Sequence, residues 1–394
     1  MKPTRSIALL ISVALVLFLI GGGLAVEVGA EENSFHQVVI FSEVLSLVLD
    51  NYVDPLEAER LLQGAYEGML AGLDARGAYL TPEELAAWKN AGDEGDLYDP
   101  GLSVLRAGHA LQVVAVDPGS PAEEAGLKVG DQIRNIDGRP IRGLSLDQAW
   151  RLIRGARGSA VRLDVLHSSE GFRREEMELA RAPRTSRPFD LRVERGIAVL
   201  RILDPRRIVP GPLAEELDDV HSRGVGSLLV DLRNVADTDP RGVGPAAGLF
   251  SAGPLLHLKD RTGKLLESVE SEGAGAAWQG TIAVLVNGAT AGSAEAFASV
   301  VQSELGGKIV GEATYGLGAE AKLYEMGDGS GLLISAAQWE TAGGGSWNGK
   351  GVEPDEVIRG RGADYEARQD DQLEQALEFL QRQLASDEPE RKAA

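Results

Sequence analysis

The sequence predicts an α/β multidomain protein, and three observations carry that reading. A chain of 394 residues exceeds one domain of ordinary size, and 43% hydrophobic residues are ample for several cores. From about Ser186 to Ile358, apolar runs of strand length alternate with stretches of helical period, the pattern of an α/β core. Glycine, at 49 residues, favours many turns and strand-to-helix connections over a coiled coil. Lys+Arg total 39 against 60 Asp+Glu, a formal net charge of −21 with no basic run, which argues against a nucleic-acid partner. The absence of cysteine excludes a disulfide framework, a thiolate zinc site and a cysteine nucleophile.

At the N-terminus, Lys2 and Arg5 precede an apolar run from Ile7 to Ile20, then Gly21, Gly22, Gly23 and a short apolar stretch to Val26. This predicts an export signal over residues 1–30. Val28 and Ala30 are small enough for cleavage after Ala30, while the apolar stretch is nearly long enough to stay as an inner-membrane anchor. Either outcome places the remainder outside the cytoplasm, in a bacterial periplasm or cell envelope. Over residues 31–95, Val39, Phe41, Val44, Leu45, Val48 and then Leu61, Leu62, Ala65, Met69, Leu73 recur mostly at three- and four-residue spacing, which predicts amphipathic helices. Thr81, Pro82 and Glu84 together spell a helix start. The acidic segment from Asn90 to Pro100 is the expected linker, and short strands are expected from Gly101 to about Val165. Residues 363–394, with Leu373, Ala376, Leu377, Leu380 and Leu384, predict one amphipathic helix and a charged tail.

The middle of the chain carries a signature. Asp117-Pro118-Gly119-Ser120-Pro121 is followed by Ala125-Gly126-Leu127-Lys128-Val129-Gly130-Asp131 and by Asp137-Gly138. Ser120 and Pro121 open a short helix, Gly126 closes it in a left-handed cap, and Asp137-Gly138 turns a hairpin. The segment resembles a PDZ domain, expected over residues 96–184. That resemblance implies capture of protein C-termini or extended peptides by strand addition. Gly101, Leu102, Ser103 and Val104 stand where such domains hold a terminal carboxylate. Ala149, Leu152 and Ile153 stand on the helix forming the other wall, or serve simply as its buried face.

Further on, Thr281-Ile282-Ala283-Val284-Leu285-Val286-Asn287 reads as a buried parallel strand, with a helix carrying Ala294, Phe297, Ala298 and Val301 and then a strand from Lys308 to Gly311. Together with Asp231-Leu232-Arg233-Asn234, Thr314-Tyr315-Gly316 and Gly349-Lys350-Gly351-Val352-Glu353-Pro354-Asp355, this βαβ unit resembles the carboxy-terminal processing peptidases, or tail-specific serine proteases. The resemblance implies a crotonase/ClpP-like core over residues 185–362, serine endopeptidase activity by a Ser/Lys dyad, and no cofactor. It also places the dyad on unsuitable residues. The nucleophile position in Thr290-Ala291-Gly292-Ser293-Ala294-Glu295 holds Gly292, the general-base position holds Leu317, and the assisting glutamine position holds Ala321. The Pro-Gly-Gly that helps build the oxyanion hole is replaced within Val235-Ala236-Asp237-Thr238.

Ser293 is the one candidate for rescue, but a helix turns about 100° per residue, so its hydroxyl should leave the attack line and instead satisfy backbone donors at the helix start. Leu317, Ala319, Ala321 and Leu323 should present one apolar face, with Lys322 on the opposite one. The histidines His36, His109, His167, His221 and His257 lack metal-ligand spacing, although a spatial triad with Ser293 stays open. The expected function is therefore a peptide-binding pseudoprotease acting as scaffold or regulator, with an active relative or a second copy as possible partners. The alternative is an active endopeptidase using the displaced Ser293. An apolar cleft holding a hydrophobic ligand is a third idea.

Overall fold

The computed structural model describes residues 28–90, 97–271, 277–361 and 365–393. The apolar run expected to direct export lies outside them, as does the centre of the acidic stretch after Asn90. Among the described residues, no helix is long and apolar enough to cross a membrane. The chain divides into two compact units, residues 1–65 and 66–394. The first holds α1 (Val28–Asn51) and the start of α2 (Ala58–Ala71).

The second unit begins with β1 (Ala78–Leu80) and α3 (Pro82–Asn90). The expected helix start forms as a reciprocal cap. Thr81 N donates to Glu84 Oε2 at 2.9 Å, and Glu84 N donates to Thr81 Oγ1 at 3.3 Å.

An antiparallel sheet follows, built from β2 (Leu102–Ala107), β3 (Ala110–Val116), β4 (Gln132–Ile136), β6 (Ala160–His167) and β7 (Arg173–Ala180), with β5 (Arg139–Pro140) paired to β4. Asp137 and Gly138 take positive φ angles of 50° and 79°, the turn chemistry that joins β4 to β5. The short α4 (Pro121–Glu124) is capped by Ser120, and α5 (Leu146–Ile153) by a Ser145–Gln148 box. Leu146, Ala149, Trp150 and Ile153 of α5 enter the domain's core.

The α/β part contains β8 (Phe189–Glu194), β9 (Ile197–Ile202), α6 (Pro210–Ser222), β10 (Ser227–Asp231), α7 (Gly244–Ala247), β11 (Pro254–Asp260), β12 (Leu265–Glu270), β13 (Thr281–Val286), α8 (Ser293–Glu304), β14 (Lys308–Gly311), β15 (Ala319–Glu325), β16 (Gly331–Thr341), β17 (Glu356–Val357) and α9 (Tyr365–Ala393). One sheet runs β17-β14-β13-β10-β9-β8. Its strands are parallel except for β8, which lies antiparallel at the edge. Both faces are covered, which is why β10 and β13 read as unbroken apolar runs. Val230, Val284 and Val286 pack with Phe297 and Val301 of α8 on one face, and Leu229, Ala283 and Leu285 pack with Leu377 and Leu380 of α9 on the other. β16 lies in a second sheet, pairing with β1, β11 and β15.

Alternation along β15 does not give the single apolar face that the sequence suggests. A register shift against β16 between Glu320 and Ala321 interrupts the period-two pattern. Leu317, in the loop before the strand, is buried with the PDZ core, whereas Leu323 packs beside Leu80, Leu85 and Leu333.

Ala236 and Ala291 join Leu317 in that PDZ cluster, so the domain rests on the loops at the carboxyl ends of β10 and β13. Arg76 fixes the same junction. Its guanidinium donates to Asp147 of α5 at 3.0 and 3.1 Å, to the Thr238 carbonyl at 3.1 Å and to the Ala319 carbonyl at 2.7 Å.

Candidate functional site

The site forms where β10 and β13 end. Asn287 Oδ1 accepts from Asn234 N and Ala289 N, both at 3.1 Å, while Asn287 Nδ2 donates to Asn234 Oδ1 at 2.8 Å. Thr290 Oγ1 donates to the Leu232 carbonyl at 2.9 Å. These bonds lock the two loops side by side and set the start of α8.

Gly292 precedes that helix with φ 67° and ψ −120°, a conformation that costs a residue bearing a Cβ. The room beside it is taken as well. A Cβ added at Gly292 would collide with the Asp237 carboxylate and its carbonyl oxygen. Asp237 Oδ1 accepts from Ser293 N at 3.0 Å, and Asp237 Oδ2 accepts the Ser293 hydroxyl. In serine hydrolases with a nucleophile at a strand-to-helix turn, the N–H of the following residue helps hold the oxyanion. Here that N–H is held by the chain's own carboxylate.

Ser293 therefore does not satisfy backbone donors at the helix start. Its hydroxyl donates instead, because Asp237 already supplies the anion that the helix N-terminus favours. Both side chains are fully buried. Burial pushes the Asp237 carboxyl above the usual carboxylate range, with Arg206 Nε, 3.8 Å away, pulling the other way. Among the described residues, no histidine is hydrogen-bonded to Ser293. His167 pairs with Asp131 at 2.9 Å within the PDZ sheet, and His221 stacks edge-on against Trp278. Among the described residues, no group of acidic or histidine side chains is placed to hold a metal.

Glu295 ties α8 to the loop carrying Leu317. Its Oε1 accepts from Thr314 Oγ1 and Gly316 N, both at 2.5 Å, and its Oε2 from Leu317 N at 2.8 Å and Gly292 N at 3.1 Å. Burial raises its pKa to about 7 in spite of these donors. Leu317 is buried against the PDZ core, and Ala321 is partly buried on β15. Neither position offers a proton acceptor.

The residues expected to line the peptide groove are largely buried. Gly101, Leu102, Ser103, Val104, Ala149 and Ile153 are buried, and Leu152 is partly so. Pro100 has no N–H, and Gly101 N donates to Asp99 Oδ1 at 2.8 Å rather than standing free for a ligand. Arg184 holds Asp99 and Asp117, each at 3.2 Å, and donates to the Leu102 carbonyl at 3.4 Å. Tyr315 Oη donates to the Arg106 carbonyl at 3.3 Å, at the other end of β2. Sequence reasoning marked Asp237 only as a lost glycine and overlooked Asp99 and Arg184. A charged side chain within the apolar stretch Val235-Ala236-Asp237 was the signal for the first.

Residues 196–358 match peptidase family S41, and residues 112–166 match a PDZ domain. A probable CtpA-like serine protease of Staphylococcus haemolyticus (strain JCSC1435) is 27% identical over 316 residues, covering 78% of this chain and 62% of that protein. One from Staphylococcus aureus (strain N315) is 27% identical over 322 residues, with 80% and 63% covered. This chain thus spans less than two thirds of the length of these relatives. A photosystem II D1 C-terminal processing protease shares the fold, with a TM-score of 0.57 at 24% identity over 81% of this chain and 92% of that one. The chain thus carries a PDZ domain and a peptidase family S41 core, and it is similar to the C-terminal processing peptidases.

Proposed function

We propose that this protein is a non-hydrolytic member of its family, working outside the cytoplasm as a polypeptide-binding scaffold or regulator. The observation that carries the proposal is the Asp237 carboxylate. It fills the space beside Gly292 and takes the Ser293 N–H, so the places of an attacking oxygen and of an oxyanion are occupied by one buried side chain. An endopeptidase working through Ser293 gains no support from a hydroxyl that is fully buried and donates to that carboxylate. The charged segment before the long apolar run at the N-terminus supports the placement outside the cytoplasm.

The PDZ domain supports polypeptide binding, with extended internal segments added beside β2 as the class of ligand. A free terminus is the poorer fit, because Pro100 and Asp99 leave its carboxylate without the first loop donors. Calorimetry with an apolar peptide and with its C-terminally amidated form is expected to give affinities within about twofold of each other, with no fragments in the mixture. Strong weakening on amidation would instead show that Asp99 yields the loop to a terminus. Fragments that vanish in Ser293→Ala would overturn the non-hydrolytic assignment.

A further inference from the structure

A cavity of about 330 Å³ lies between β2 and β3 of the PDZ sheet and the loops that leave β10 and β13. Leu105, Val113, Val114 and Val129 give it apolar walls, and Arg106 and Asn234 stand among its polar groups. Its volume is at the lower end of the range for small-molecule sites.

Both polar groups have spare donors. Arg106 Nη2 donates to the Leu144 carbonyl and, at 3.4 Å, to that of Ile141. Among the described residues no carboxylate pairs with this half-buried guanidinium, and burial holds its pKa below the ordinary value. Its Nε and Nη1, which lie on opposite sides of Cδ, have no acceptor among the described residues. Asn234 holds a left-handed φ of 64° and is 8% exposed. The orientation of its amide follows from the network. Asn287 Oδ1 is committed to two N–H donors, so Asn287 Nδ2 must face Asn234 Oδ1, which leaves Asn234 Nδ2 as the free end. No acceptor for that Nδ2 exists among the described residues. A cation without a carboxylate partner is unusual in a chain of net charge −21.

We propose that this cavity binds a small monocarboxylate with a compact, branched apolar body. Arg106 Nε or Nη1 donates to the carboxylate with charge assistance, Asn234 Nδ2 adds a second donor, and the valines and Leu105 hold the body. One cation in a half-apolar cavity matches one negative charge. An inorganic phosphate carries more charge than the site offsets and has no apolar part for the walls. The inference stands on these groups alone and does not depend on the hydrolytic state of the neighbouring site.

The test is calorimetry, or saturation-transfer NMR, on the full chain with 4-methylpentanoate, its neutral isostere 4-methylpentanamide, and inorganic phosphate. The carboxylate is expected to bind at least about tenfold more tightly than either of the others. Arg106→Gln and Asn234→Asp are each expected to weaken it by about tenfold or more, with circular dichroism checking the fold. Four outcomes overturn the proposal: no binding of 4-methylpentanoate to the wild-type protein up to about 10 mM, equal binding of the amide, tighter binding of phosphate, or folded variants that bind like wild type.

Discussion

Gly292→Ser alone is expected to leave the protein unable to cleave peptides, and so is Gly292→Ser combined with Leu317→Lys, as long as Asp237 stays. Nucleophile and base together are worth on the order of a million-fold in serine peptidase turnover, so restoring both ought to be conspicuous. It is expected to fail here for a steric and electrostatic reason. The new Cβ meets the Asp237 carboxylate, and the Ser293 N–H that an oxyanion needs is already bonded to Asp237 Oδ1 at 3.0 Å. A serine at φ 67° is strained besides, so the single variant should also lose roughly 1–3 kcal/mol of stability. Adding Asp237→Gly removes the obstruction and frees the N–H. The triple variant is the first in the series expected to release product from a fluorogenic peptide. Equal activity in the double and triple variants would show that Asp237 does not block the site.

Asp237→Ala in the otherwise native chain is expected to cost about 3–5 kcal/mol, read as a drop in the urea midpoint. The buried carboxylate answers the Ser293 N–H and hydroxyl and stands 3.8 Å from Arg206, itself bonded to Asp204 at 3.1 and 3.3 Å. Removing it strands a buried hydroxyl and N–H and leaves Arg206 with one carboxylate fewer. Glu295 adds a pH signature. Its folded pKa, about 7, lies above the ordinary 4.5, so the stability it contributes is whole below pH 4.5 and is lost as pH rises through 7. Asp231 and Asp204 are held below the usual range and act in the opposite sense, so the comparison must isolate Glu295. Across that window the wild-type midpoint should fall relative to that of Glu295→Gln. Parallel pH curves for the two proteins would contradict the assignment.

Much of the fold is legible because local and long-range signals coincide. The Thr81–Glu84 cap, the Asp137-Gly138 turn and the apolar run of β13 each state their own structure. The alternation of β15 failed because a register shift depends on its partner β16, which no local pattern reports. The site was legible by position but not by contact. Gly292 and Leu317 stand where the resemblance expects nucleophile and base, whereas the bond between Asp237 and Ser293 joins residues 56 positions apart in the chain. The same holds for Asp99 and Arg184, separated by 85 positions and joined only when β2 meets the segment before β8. Burial of Leu317 with the PDZ core could not be read from its position in the sequence, because it depends on contacts with a distant domain.

Intact-mass analysis after prolonged incubation with a fluorophosphonate tests most directly whether any hydroxyl here acts as a nucleophile. The protein is predicted to keep its unmodified mass while an active relative in the same tube is labelled in full. A stoichiometric adduct mapped to Ser293, absent from heat-unfolded protein, would contradict the assignment.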